Sequence, residues 1–206
     1  MNKINLLPHD LLFLDPCVNL PENAPVWVTD SIKSRLPCVV RRDSFSFERI
    51  PVGFRGRSRA ERYGTFVPMV SVLRTVSPEA AAQLLAETSL HAPQLDYLKD
   101  FSCYVQSKDE LRDNLQWGIS GSFGFSLAVE KKFFRDDSDI DLIFRANKAE
   151  QLELLSLLHD WIVNSDFQID VQVQTSRGGF SYKEWLKTKT VLLKTNKGPF
   201  LTDTPW

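Results

Sequence analysis

The chain has 206 residues, enough for one compact domain or two small lobes with a sizeable core. It is 43% hydrophobic and 25% charged, which is the composition of a soluble globular protein and excludes long disorder and collagen-like repeats. With 25 Lys and Arg against 26 Asp and Glu, the net charge is -1, and bulk electrostatics make no case for nucleic-acid binding.

That sum hides an asymmetry. Residues 1–90 carry 11 basic and 9 acidic side chains, and nine of the basic ones are arginine. Residues 91–206 carry 14 basic and 17 acidic side chains, and ten of the basic ones are lysine. Guanidinium forks suit phosphate and carboxylate oxygens, so the first part is expected to handle an anion and the second a cation. Cys17, Cys38 and Cys103 lack metal-ligand spacing and read as free thiols. Pro8, His9, Asp10 and Asp15 interrupt the apolar start, leaving no signal-peptide core and no membrane span. A cytoplasmic protein is expected.

In chain order, Leu11–Leu14 reads as a strand closed by Asp15-Pro16, Thr29-Asp30 as a helix start, and Val39-Val40 as a buried strand. The stretch from Arg41 to Pro68 holds Gly53, Gly56 and Gly64 among its arginines and reads as a turn-rich functional loop between strands. Met69–Val76 follows as a strand, and Ser77-Pro78-Glu79 opens a helix over Ala80–Leu85. A lobe boundary is expected at His91–Pro93. Beyond it come helices over Leu95–Val105 and Lys108–Leu115, a strand at Trp117–Ile119, a helix over Phe123–Val129 and a strand at Ile140–Phe144. Lys148–Val163 carries Leu152, Leu155, Leu158 and Ile162 on one face and predicts a single long helix. A strand at Phe167–Val173, a short helix at Tyr182–Lys189 and a strand at Val191–Leu193 complete the pattern. Trp117, Trp161 and Trp185 are expected in the core.

Chemistry concentrates in Trp117–Gly124 (WGISGSFG) and Ser138–Phe144 (SDIDLIF). Asp139 and Asp141 stand at i and i+2. On a strand, both carboxylates leave one face about 7 Å apart, with Ile140, Leu142 and Phe144 on the other. Two crowded carboxylates repel unless a cation lies between them, and hard oxygen donors suit Mg²⁺, which takes its remaining ligands from water and phosphate. Asp170, within Ile169-Asp-Val-Gln-Val173, would face the same way from a neighbouring strand. A strand ending at Gly121-Ser122 and opening a helix offers free backbone N–H groups and a positive helix end to a phosphate. A lone D-x-D pair is more often a solvated edge. The succession of strand, Gly-Ser, helix, Asp-x-Asp strand, long helix and acid-bearing strand is specific for a nucleotidyltransferase-type site. Asp136 and Asp137 read as loop acids.

Gly-Ser followed by Asp-hydrophobic-Asp resembles the polymerase-β-like nucleotidyltransferase superfamily, with an unusually long spacer of 16 residues, Phe123 to Ser138. The whole chain resembles one branch of it, the malonate decarboxylase holo-acyl-carrier-protein synthases, also called phosphoribosyl-dephospho-CoA transferases. The matching features are WGxSGSxG, the spacer, SDIDLIF, the strand with Asp170, Pro51–Gly56 (PVGFRG) and His9–Leu14 (HDLLFL).

The resemblance implies an α+β fold: a nucleotidyltransferase-fold C-terminal lobe at 91–206, with a mixed sheet and flanking helices, and a smaller α/β N-terminal lobe at 1–90. It implies transfer of the prosthetic group from 2'-(5''-triphosphoribosyl)-3'-dephospho-CoA to a serine of the malonate decarboxylase acyl carrier protein, with release of pyrophosphate. Asp139 and Asp141 would hold Mg²⁺ or Mn²⁺, Asp170 would be a second-metal ligand or general base, and Gly121 and Ser122 would bind the leaving phosphates. The equivalent citrate lyase system and another small nucleotidyltransferase remain alternatives. A catalytically dead binding module is disfavoured by the intact D-x-D pair.

Seven arginines lie between Arg41 and Arg62. Arg55, Arg57 and Arg59 follow glycine-containing turns and are candidates for bidentate phosphate contacts, either to the small substrate or to the carrier. A solvated basic face is the plain alternative. His9, His91 and His159 lack metal-ligand partners at helical spacing. Lys194 and Lys197 flank a candidate hairpin turn near the end.

Overall fold

The computed structural model describes residues 6–44, 48–56, 58 and 60–206, which divide into two compact units, Met1–Ser77 and Pro78–Trp206. Arg57 and Arg59 lie outside the described residues.

The first unit runs β1 (Leu11–Leu14), α1 (Val26–Lys33), β2 (Cys38–Val40), β3 (Arg49–Arg55), β4 (Arg62–Pro68), a 3-10 turn at Met69–Ser71 and β5 (Val72–Val76). Its sheet is antiparallel throughout, in the order β4-β3-β2-β1-β5. Helix α1 begins directly after Pro25, not at Thr29-Asp30 as the cap residues predicted. The reason is that Val28 and Ile32, spaced i and i+4, must both sit on the helix to reach the core. The expected turn-rich loop is in fact a hairpin with seven residues in each strand. A period-two pattern sends Ile50, Val52, Phe54, Thr65 and Val67 inward and outweighs the glycines as turn signals.

The second unit runs α2 (Pro78–Gln83), a 3-10 turn at Leu84–Ala86, α3 (Pro93–Ser107), α4 (Asp109–Asn114), β6 (Gln116–Ile119), α5 (Gly121–Val129) and β7 (Ile140–Arg145). A further 3-10 turn at Ala149–Leu152 leads to α6 (Glu153–Ser156), α7 (His159–Val163), β8 (Ile169–Gln174), β9 (Gly179–Ser181), α8 (Tyr182–Thr188), β10 (Val191–Thr195) and β11 (Gly198–Thr202). The strand order is β11-β10-β9-β8-β7-β6, with β7 and β8 parallel and the other pairs antiparallel. A mixed sheet with flanking helices in one unit and an antiparallel sheet with one helix in the other make the chain α+β.

Two expectations need correction. Residues 148–163 do not form one helix. Leu152, Leu155 and Leu158 are all buried at a spacing of three, which suits a 3-10 turn better than an α-helix. The N–H groups of Leu157 and Leu158 accordingly bond three residues back, to Leu154 and Leu155.

The boundary lies at Ser77–Pro78, not at His91–Pro93, so the divisions 1–90 and 91–206 are shifted. Helix α2 belongs to the second unit because it packs on β6. Gly118 is the enabling residue, since a Cβ there would overlap the backbone of Pro78 and Glu79. A fork from Arg145 to both oxygens of Glu79, largely screened from water, ties the same helix to β7.

Beneath the second sheet, α3 contributes Leu95, Leu98, Phe101 and Val105, and α5 contributes Phe123 and Leu127. Trp117, Trp161 and Trp185 pack against this core as partly buried side chains. Each fully buried aliphatic or aromatic side chain contributes about 1.5–3 kcal/mol, more than an exposed ion pair such as Lys132–Asp136. Among the described residues no helix is long and apolar enough to cross a membrane.

All three cysteines are free, with Cys17 and Cys103 exposed and Cys38 buried. Burial pushes the Cys38 thiol up to about 12, and its Sγ–H donates to the Leu12 carbonyl at 3.6 Å. A thiol reagent at mildly alkaline pH is expected to label Cys17 and Cys103 in the folded protein and Cys38 only after unfolding. Mass spectrometry of labelled peptides with and without denaturant checks this. Gly118→Ala is expected to lower stability by about 1–3 kcal/mol through overpacking, read from the denaturation midpoint at unchanged slope.

Candidate active site

Strand β7 buries Ile140, Leu142 and Phe144, so Asp141 leaves by the opposite face, where it is half-buried. Asp139 stands at the entrance of the strand, two residues earlier and also half-buried. In the parallel ladder Asp141 lies level with Asp170 of β8, and Ile140 with Ile169. Level residues on neighbouring strands point the same way, at a strand spacing of about 4.8 Å. Asp170 is exposed. The three predicted acids therefore share one face.

The Gly-Ser turn meets them there. β6 ends at Ile119, and the Ser120 N–H donates to the Asp141 carbonyl at 2.9 Å. Helix α5 then starts at Gly121, with no side chain capping it. Its first-turn N–H groups and positive dipole end consequently begin beside the Asp141 carboxylate. Gly121 has φ +62°, in the left-handed region, and a Cβ there would overlap Asp141 Oδ2. Its neighbour Ser122 is half-buried and gives its carbonyl to the Ser126 hydroxyl at 2.7 Å.

Two participants were not foreseen. Gln168 precedes Asp170 by two residues, and its Nε2 donates to Asp139 Oδ2 at 3.2 Å. It repeats across the ladder the i, i+2 spacing of Asp139 and Asp141, but only the parallel register brings it to Asp139. Ser120, inside the motif, acts through its backbone. At the far end of the face, Gly118 lies level with Ile143 and is covered by α2, so the covered part begins beyond Asp141.

Among the described residues no three His, Cys, Asp or Glu side chains form a metal-holding group. The donor set does fit a Mg²⁺ or Mn²⁺ that arrives with its substrate. Such an ion uses one or two carboxylates and completes its shell with phosphate oxygens and water. Asp139 and Asp141 supply the carboxylates, and the α5 N-terminus supplies donors for an anion alongside. Arg55 belongs to the first unit. It ends β3, is exposed and lies opposite Arg62. Asp136 and Asp137 sit in a turn, where Asp136 pairs with Lys132 and Asp137 with Arg135.

Two family profiles match the chain. "Phosphoribosyl-dephospho-CoA transferase MdcG N-terminal domain" covers residues 7–78, and the corresponding C-terminal domain covers residues 83–205. The N-terminal profile ends one residue past the division of the two compact units. Among curated relatives, a phosphoribosyl-dephospho-CoA transferase of Klebsiella pneumoniae subsp. pneumoniae is 36% identical over 202 residues, 97% of this chain and 95% of the relative. One from Pseudomonas syringae pv. tomato is 34% identical, covering 98% and 93%, and one from Pseudomonas aeruginosa is 32% identical, covering 97% and 93%. No solved structure gives a significant match.

Gly121→Ala is expected to cost about 1–2 kcal/mol from the left-handed backbone alone, plus displacement of the Asp141 carboxylate. In an Asp141→Ala background most of the second part disappears, since only the Cβ of residue 141 remains, at 3.0 Å. A double-mutant cycle by denaturation should therefore show the two changes coupled, whereas strict additivity would mean the two groups do not touch.

Proposed function

The chain belongs to the phosphoribosyl-dephospho-CoA transferase MdcG family, and from that membership we propose that it is a cytoplasmic holo-acyl-carrier-protein synthase of the malonate decarboxylase system. It takes 2'-(5''-triphosphoribosyl)-3'-dephospho-CoA and joins the phosphoribosyl-dephospho-CoA group to a serine of the acyl carrier protein. The serine oxygen forms a new bond to the α-phosphorus, the bond from that phosphorus to the bridging oxygen breaks, and pyrophosphate leaves with the electron pair. The product is a phosphodiester, so the reaction is of the nucleotidyltransferase class.

The observation that carries this reading is the register of Asp141 with Asp170, beside the start of α5. Asp139 and Asp141 would hold Mg²⁺ or Mn²⁺, which when bound neutralises triphosphate charge and orients the leaving group. Backbone N–H groups at Gly121 and Ser122, with the Ser122 hydroxyl, bind the β- and γ-phosphates. Asp170, more exposed than the other two, accepts the proton of the attacking serine, with service as a second-metal ligand its other use. Gln168 holds Asp139 in place. Arg55, with the arginines around it, serves an anionic group of the small substrate or of the carrier.

The test incubates the protein with apo-carrier, Mg²⁺ and either the triphosphoribosyl precursor or ATP, then weighs the carrier. A mass gain of one phosphoribosyl-dephospho-CoA group with the precursor is expected. Gain with ATP alone would replace this reading by another nucleotidyl transfer. Asp139→Ala and Asp141→Ala are each expected to reduce transfer by at least about 10³-fold with unchanged circular dichroism, and Asp170→Asn by about 10²-fold or more. Full activity in the first two variants would refute the metal assignment.

A further inference from the structure

The second side of the β2–β3–β4 sheet carries Arg55 and lies outside the acid cluster of the second unit. Alternation turns Ile50, Val52 and Phe54 into the core of the first unit and leaves Arg49, Pro51, Gly53 and Arg55 on the other side. The β4 register extends that side through Arg62, Gly64, Phe66 and Pro68, with Gly53 opposite Gly64 and Arg55 opposite Arg62. Arg41, just past β2, lies across both glycines. A Cβ on Gly53 would meet its Cδ at 3.1 Å, and a Cβ on Gly64 would overlap its guanidinium.

Arg41, Arg49, Arg55 and Arg62 therefore share one face, and all four are exposed. None of the strand positions just named on that face is Asp or Glu. Among the described residues none of the four arginines forms an ion pair, and Arg49 Nη2 donates only to the Phe66 carbonyl at 3.3 Å. Like charges directly opposite on a sheet are destabilising, and Arg55 against Arg62 is such a pair. An unpaired cationic face of this kind gains most from an anionic partner.

We infer that this face docks the acidic surface of the acceptor protein, an inference that rests on the proposed transfer to a protein. The spacing argues for an extended partner over a single phosphate chain. Arg49 and Arg55 stand six residues apart on one strand, about 20 Å, too far for all four guanidiniums to converge on one small anion. A protein surface carrying several carboxylates meets them all, and electrostatic attraction also speeds encounter. Nucleic acid is the other extended anion; the proposed transfer to a protein favours the carrier, and an oligonucleotide is the competing arm of the test.

The experiment measures binding of full-length protein to apo-carrier by calorimetry at low and high salt, without turnover, and then both KM values in the transfer assay. The variants are Arg41→Glu with Arg62→Glu, and Arg49→Glu with Arg62→Glu. The second pair spares the packing of Arg41 on Gly64, and circular dichroism checks both. At least about tenfold weaker carrier binding and loss of its salt dependence are expected. The carrier KM should rise in step, while the precursor KM stays within about twofold. Unchanged carrier affinity in both variants overturns the inference. So does a rise confined to the precursor KM, or tighter wild-type binding to a single-stranded oligonucleotide than to the carrier. A wild-type protein that modifies the carrier while both variants bind it equally well loses only this docking face. A wild-type protein that neither binds nor modifies the carrier loses the transferase reading too.

Discussion

Strands β7 and β8 run parallel with Asp141 level with Asp170, and one side of that ladder is committed to the core by Ile140, Leu142, Phe144, Val171 and Val173. Side chains alternate strictly along a strand, so a slip of one residue in β8 would push Asp170 into the core and Val171 and Val173 into water. The hydrophobic contribution of those side chains is several times larger than any local preference of the acids. Core burial therefore fixes the register, and the register places the acids together. The connection from Ala149 to Val163, with its 3-10 turn and two short helices, is the crossover that a parallel pair requires.

Carboxylates gathered on one face oppose one another, and the surroundings offset this in three ways. The cluster stays half-buried or exposed, where water screens the repulsion. The N-terminus of α5 brings its positive end beside Asp141, an approach that only glycine at 121 permits. The Gln168 amide donates to Asp139. Under the proposed function, the like-charge repulsion that remains would be relieved by a cation arriving with its phosphates.

The first unit shows the opposite case. Its outer sheet face sets arginine directly against arginine next to a glycine pair, and the inner face carries the stability through Ile50, Val52, Phe54 and Val67. A sheet tolerates charge on its solvent side while the other side is well packed. Near-neutrality of the whole chain is thus two concentrations of opposite sign, carried by separate compact units.

From the sequence alone, the acids of the D-x-D pair, the Gly-Ser turn and most strands and helices could be read, because each depends on neighbours within a few residues, and the α+β class came with the family resemblance. Alternation in Ile140–Phe144 and in Ile169–Val173 is visible in one dimension, and so is the apolar stripe of α3. The tertiary structure decided what depends on distant partners. Whether Leu152, Leu155 and Leu158 wind as one long helix or as short tight turns is set by the core they fill. Whether residues 78–90 belong with the first or second unit is set by Gly118, forty residues beyond Pro78, where backbone meets backbone. Arginines in a glycine-rich stretch look like a loop until the facing strand supplies hydrogen bonds. Gln168 gains its role only when β8 lies beside β7, since sequence records which side chains exist and only the pairing of strands determines which ones meet.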